Sequence, residues 1–204
     1  KPHYIVDFSS PLSVKGSHYD QVRKFATLGG EIRTETLFNH NYIDHAREFY
    51  KGYQYLIKRH GAEGTPSDFS EKAMIHFFSA PGAVVFKSYY KGKVIAQLLA
   101  YMMGDTAHYF LGSTSNKSYF VGANFALQYE AIMFFKQLGM RFYALGSKND
   151  NALNSDTLAS YKEGWSNCQK DSFILHKILN KEVYEELVSS ASSSDFIPSY
   201  RGRK

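Results

Sequence analysis

The sequence predicts an α/β (α+β) domain built on a mixed, mostly antiparallel sheet with helices on both faces. Three observations carry this reading. The runs Ala83–Tyr90, Lys93–Met103 and Thr106–Leu111 are strand-like and are joined only by Lys91-Gly92 and Gly104-Asp105, the mark of an antiparallel meander. A later strand, helix and strand require a crossover, which brings other pairing into the same sheet. The 204 residues are 44% hydrophobic and 21% charged, which supplies one sizeable core and excludes a disordered chain.

From the N-terminus, Ser17–Leu28 has a short helical pattern that stops at Gly29-Gly30, because glycine adopts the left-handed backbone that ends a helix. Glu31–Leu37 is a short strand. Asn39 or Asn41 caps a helix to His60, since Tyr42, Ala46, Phe49, Tyr53 and Leu56/Ile57 recur at steps of three and four. Gly61–Pro66 breaks it. Ser67 caps the next helix, whose buried stripe is Phe69, Ala73 and Phe77 beside Met74 and Phe78, and Pro81-Gly82 closes it. After the meander, Ser113–Ser118 reads as polar loop. A long helix from Gly122 to Gly139 carries Phe125, Leu127, Ile132, Phe135 and Leu138. Arg141–Leu145 is a buried strand, Gly146–Ser155 a polar loop and Leu158–Trp165 a short helix. Phe173–Ile178 is a last strand and Val183–Val188 a last helix. Residues 1–188 are expected to form one domain, and 189–204, Ser-rich and then basic, a flexible tail.

The one cysteine, Cys168, has no disulfide partner and no zinc or redox spacing, so a Cys-ligated centre is excluded and no metal is expected. No run reaches the roughly 18 consecutive apolar residues of a membrane span. Lys1-Pro2-His3-Tyr4 has neither an initiator Met nor a secretory apolar region, so a cytoplasmic piece of a longer protein is expected. A net charge of +5 fits a phosphate-bearing partner or ordinary solubility.

Four strings stand in order along residues 109–165: Tyr109-Phe110-Leu111-Gly112-Ser113-Thr114-Ser115, Ala123-Asn124-Phe125-Ala126-Leu127-Gln128-Tyr129-Glu130-Ala131-Ile132, Gly139-Met140-Arg141-Phe142-Tyr143-Ala144-Leu145-Gly146 and Tyr161-Lys162-Glu163-Gly164-Trp165. Together with the basic Tyr19–Lys24 stretch ahead of Gly29, they resemble the Fem-like branch of the GNAT acyltransferases, the peptidoglycan aminoacyltransferases and their acetyltransferase cousins. The resemblance implies a GNAT-like fold and an N-acyltransferase that moves an acetyl or aminoacyl group to a primary amine, on a cell-envelope precursor or amino sugar. It implies acyl-CoA or aminoacyl-tRNA as the phosphate-bearing acyl donor. As amine acceptor it implies a nucleotide-linked sugar or peptidoglycan precursor, and it implies a second such domain in the complete protein. Two departures stand out. Tyr119 occupies the place of the Arg or Gln that opens the family's acyl-CoA pattern, which here keeps Gly122 and ends on Asn124; Ala144 replaces the acidic residue of the family's strand.

The resemblance also implies the site. Acyl transfer to an amine needs donors for the developing oxyanion, a path for the amine proton and an acid for the leaving group. If the strands at 106–111 and 141–145 splay, N–H groups around Leu111 and Ser113 face the reacting carbonyl. Tyr119, Gly122, Ala123 and Asn124 form the helix start that would receive a phosphate, or else merely open a core helix. Tyr161 is the candidate acid, and Lys162 the candidate contact to a phosphate or the acyl carbonyl. His108 and His176 face the expected cleft or are structural, and Glu130 is proton-active or solvated. Arg23, Lys24, Arg33, Lys58 and Arg59 could rim a nucleotide-linked acceptor or tRNA end. Two other readings fit the same strings: a non-catalytic GNAT-like half that binds beside an active domain, and a plain acetyl-CoA-dependent small-amine acetyltransferase.

Overall fold

The computed structural model describes residues 1–36, 41–65, 67–147, 155–173 and 175–189. Contacts divide the chain into Lys1–Asp171 and Ser172–Lys204. The first unit holds a seven-stranded sheet and six helices among the described residues. In chain order these are β1 (Pro2–Asp7), α1 (Gly16–Thr27), β2 (Gly30–Thr36), α2 (Tyr42–Arg59), α3 (Glu71–Phe78), β3 (Ala83–Tyr90), β4 (Lys93–Met103), β5 (Thr106–Thr114), α4 (Asn116–Val121), α5 (Ala123–Gln137), β6 (Phe142–Ser147), α6 (Ser155–Glu163) and β7 (Cys168–Asp171). The second unit carries α7 (Lys181–Ser189).

The strand order is β2-β3-β4-β5-β6-β1-β7, antiparallel throughout except for the parallel pair β5–β6. The predicted mixed, mostly antiparallel sheet is therefore present. Side chains alternate across it into two cores. Val84, Phe86, Leu98 and Ala100 meet Leu127, Ile132 and Phe135 of α5, while Val85 and Leu99 meet Phe49, Tyr53, Met74 and Phe78 of α2 and α3. Each fully buried Phe or Leu of these layers contributes about 1.5–3 kcal/mol, so α5 alone is a principal anchor of the sheet.

Several boundaries differ from the sequence reading. Strand β1 follows no alternating pattern because Ile5 and Val6 are both buried: it lies between β6 and β7 and is covered on two faces. Ser70, rather than Ser67, caps α3, its Oγ accepting from the Ala73 N–H at 3.2 Å. β5 runs on to Thr114, and the expected loop after it is mostly α4. The last strand of the first unit is Cys168–Asp171; Phe173 and Leu175–Ile178 form no strand, and His176 is exposed in irregular chain. Asn39, Leu37, most of the 146–155 loop and the 190–204 tail lie outside the described residues.

Candidate active site

Strands β5 and β6 pair only over Thr106↔Phe142, Ala107↔Tyr143 and His108↔Ala144. Beyond that point β5 continues against β4 and β6 continues against β1, so the two strands part. A bulge at Phe110, opposite the Leu99/Ala100 step, kinks β5 just past the parting. An antiparallel neighbour takes only alternate N–H groups, so β5 beyond His108 turns the others toward the gap. Ser115 N–H donates to the Ile95 carbonyl of β4, so by the same alternation the N–H groups of Leu111 and Ser113 also point to β4, and it is Gly112, between them, whose N–H turns toward the gap.

Lys162 stands at the edge of this gap. Its Nζ donates to the Ser147 carbonyl at 2.8 Å, and a Cβ on Gly146 would lie 3.4 Å from the same nitrogen. Gly146 has φ +80°, a left-handed backbone that glycine accepts at no steric cost. Burial lowers the Lys162 pKa from its ordinary value. His108, at the parting, is also pushed down by burial. His3 of β1, opposite Ser147 in register, is lowered by burial first and then by the charges of Lys162, the terminal amine and His108. The charges of Lys162 and His108 thus bear on His3, and each of these three basic side chains, from β1, β5 and α6, holds its proton less tightly than usual. His3 was not singled out in the sequence, because nothing there shows that a terminal strand inserts beside β6.

Tyr161 is packed against Phe125, His18 and Trp165, and its hydroxyl donates to the Asn124 carbonyl at 3.1 Å. Burial raises its pKa well above the phenol value. The bond ties α6 to the first turn of α5. Gly164, three residues on, leaves room for the His18 ring, which a Cβ would overlap.

The helix start is built differently from a phosphate loop. α4 occupies residues 116–121, and the Gly122 N–H donates to the Ser118 carbonyl as the cap of that helix. Gly122 has φ +78°, and a Cβ there would lie 2.5 Å from the Gln21 carbonyl of α1. Ala123 is wholly buried in the core. Asn124 Nδ2 donates to Thr114 Oγ1 at 3.5 Å. Tyr119 is 42% exposed and lies under the Arg59 guanidinium, 4.4 Å from its ring centroid. Leu111 packs on the α2–α3 core, and Ser113 Oγ donates to the Phe49 carbonyl of α2 at 2.8 Å. Glu130 acts on Tyr129, which meets Tyr19 of α1 edge-on, so it belongs to the α1–α5 seam. The five basic residues read as one rim are divided: Arg23 and Lys24 sit on α1, on the α5 side of the sheet, Arg33 on the edge strand β2 over the Tyr89 ring, and Lys58 and Arg59 on α2, on the other face. Among the described residues no group of three His, Cys, Asp or Glu is gathered to hold a metal ion.

Residues 13–163 match a family model described as an acetyltransferase (GNAT) domain. A UDP-N-acetylmuramoylpentapeptide-lysine N(6)-alanyltransferase of Weissella viridescens is 28% identical over 144 residues, 69% of this chain and 42% of that protein. The chain thus spans less than half the length of the curated relative it matches. FemX has the same fold with a TM-score of 0.67 at 14% identity, over 91% of this chain and 63% of FemX. An aminoglycoside acetyltransferase from an uncultured soil metagenomic sample, solved with sisomicin, gives 0.53 at 9% identity, over 76% of this chain and 99% of its own.

Proposed function

The chain belongs to the acetyltransferase (GNAT) domain family, and from that premise we propose that it is an N-acyltransferase module that moves an aminoacyl or acetyl group onto a primary amine by direct transfer. The observation that carries the reading is the parting of β5 and β6 at His108 and Ala144, with Lys162 fixed at its edge.

The amine lone pair attacks the acyl carbonyl and forms the C–N bond. The carbonyl oxygen takes up negative charge, and the Gly112 N–H of β5, between Leu111 and Ser113, stabilises it. The bond from acyl carbon to the leaving oxygen or sulfur then breaks. That atom leaves with a proton, and the amine nitrogen gives one up. His108, held neutral near pH 7 by burial, is the proton acceptor in this reading. Lys162 supplies positive charge to the carbonyl or to a donor phosphate. Tyr161, whose proton is engaged by the Asn124 carbonyl, positions α6 and with it Lys162.

Aminoacyl-tRNA is the favoured donor. The helical turn of α4 and the committed Gly122 N–H remove donors that a coenzyme A pyrophosphate would use, and Tyr119 supplies no basic group there. The favoured acceptor is a primary amine on a cell-envelope precursor, supported by the relative whose name gives a lysine of UDP-N-acetylmuramoylpentapeptide as its target. Such a reaction belongs in the cytoplasm, where charged tRNA is made. The short span against that relative also supports a second domain in the complete protein.

Mixing the full chain with alanyl-tRNA or acetyl-CoA and primary-amine acceptors, and reading amide product by mass spectrometry, tests the proposal. Product from alanyl-tRNA is expected. Product from acetyl-CoA alone would shift the assignment to a small-amine acetyltransferase, and binding of acceptor without product from either donor would leave a non-catalytic half.

A further inference from the structure

On the α2 side of the sheet, bordered by the end of β5, lies a groove of about 590 Å³, within the size range of small-molecule sites. Its floor carries Gln97 and Ser113, two members of a row in register across three strands, Lys87↔Gln97↔Ser113, in which Lys87 stands just outside the groove. Two of the three are satisfied. Lys87 Nζ is 2.5 Å from Glu48 Oε2, and Ser113 Oγ donates to the Phe49 carbonyl. Gln97, between them, is 3% exposed, and its Oε1 has no hydrogen-bond partner among the described residues; nor has the buried Oγ of Ser115 at the end of the groove. A buried acceptor left unpaired is costly and is rare without a reason.

The mouth is cationic. Lys51 of α2 and Lys93 of β4 are exposed, line the groove and make no ion pair among the described residues, while the one carboxylate beside them, Glu48, is taken by Lys87. The groove therefore offers hydrogen-bond acceptors at depth and positive charge at its rim.

We propose that this groove binds a small organic phosphate that also carries an O–H or N–H donor, the chemistry shared by sugar phosphates and nucleotides, with the donor on Gln97 and the phosphate between Lys51 and Lys93. The groove shares β5 with the acyl-transfer gap but lies on the α2 face of the sheet, and the proposal does not rest on the transfer reading.

Titration calorimetry on the full chain with glucose 6-phosphate, adenosine 5′-monophosphate, adenosine and inorganic phosphate tests it. Either organic phosphate should bind about tenfold tighter than inorganic phosphate or adenosine, the tighter of the two naming the source. Gln97→Met should weaken that binding about tenfold while the thermal midpoint of the free protein stays level or rises, because an unpaired buried acceptor is removed. Should that variant fail to fold, Lys51→Ala with Lys93→Ala must give the same loss. Absence of saturable binding by both organic phosphates, or affinity unchanged in these variants, overturns the proposal.

Discussion

Lys162 Nζ donates to the Ser147 carbonyl oxygen at 2.8 Å, joining α6 to the end of β6 on the far side of the gap that opens at His108 and Ala144. One hydrogen bond thereby fixes a half-buried ammonium beside the place where two parallel strands separate. Burial makes that ammonium easier to deprotonate than an exposed lysine, so its charge is held against a solvation cost.

Tyr161 and Lys162 are adjacent in sequence and are expected to respond differently. Tyr161→Phe removes the bond to the Asn124 carbonyl, costs about 1 kcal/mol of stability and reduces transfer by less than about tenfold. Denaturant unfolding and turnover, measured on the same preparation, check this. A loss of turnover as large as that of a Lys162 variant would make the phenol a catalytic acid.

Gly164 and His18 form a packed pair. Gly164→Ala drives a methyl group into the imidazole and should destabilise the protein by about 1–3 kcal/mol. With His18→Ala in the same chain the cost of the added methyl should largely vanish, and a double-mutant cycle reads the difference. Additive costs would show that the ring is not what the glycine accommodates.

One buried and two half-buried histidines predict a dependence on pH. His3, His18 and His108 all have pKa values lowered by burial, whereas the unfolded chain protonates near 6.5. Between the lowered values and 6.5 the unfolded state binds more protons, so this contribution to stability is present above pH 6.5 and is lost as pH falls. The thermal midpoint should drop on acidification from neutral pH toward pH about 5, and His18→Leu should flatten the profile. A midpoint independent of pH over that range would contradict the assignment.

Gly122 closes α4 with a left-handed backbone and lets the Gln21 carbonyl approach. Gly122→Ala should cost about 1–3 kcal/mol, from the strained backbone and the clash together. Urea unfolding measures it, and a neutral effect would remove the packing role assigned to this glycine.

The long elements were legible because their patterns are local. The meander announced itself through Lys91-Gly92 and Gly104-Asp105, and α2 and α5 through apolar residues at three- and four-residue steps. β1 was not legible, since two successive buried residues in a six-residue strand have no period to read. Nor was His3, which gains significance only when β1 pairs with β6. Ser113 and Tyr161 carried family motifs, but the chain alone could not show that the hydroxyl of each is bonded to a backbone carbonyl of a helix. The two groups of basic residues look contiguous in composition, yet the sheet stands between α1 and α2.

The most direct test is amide formation from alanyl-tRNA and a primary-amine cell-envelope precursor by the full chain, compared with Lys162→Met. The account predicts amide product from the unaltered protein, a fall of about a hundredfold in the variant and an unchanged thermal midpoint, because a charge at the reacting centre is lost while the fold is kept. Undiminished turnover by Lys162→Met, or no amide from the unaltered protein with either alanyl-tRNA or acetyl-CoA, would contradict it.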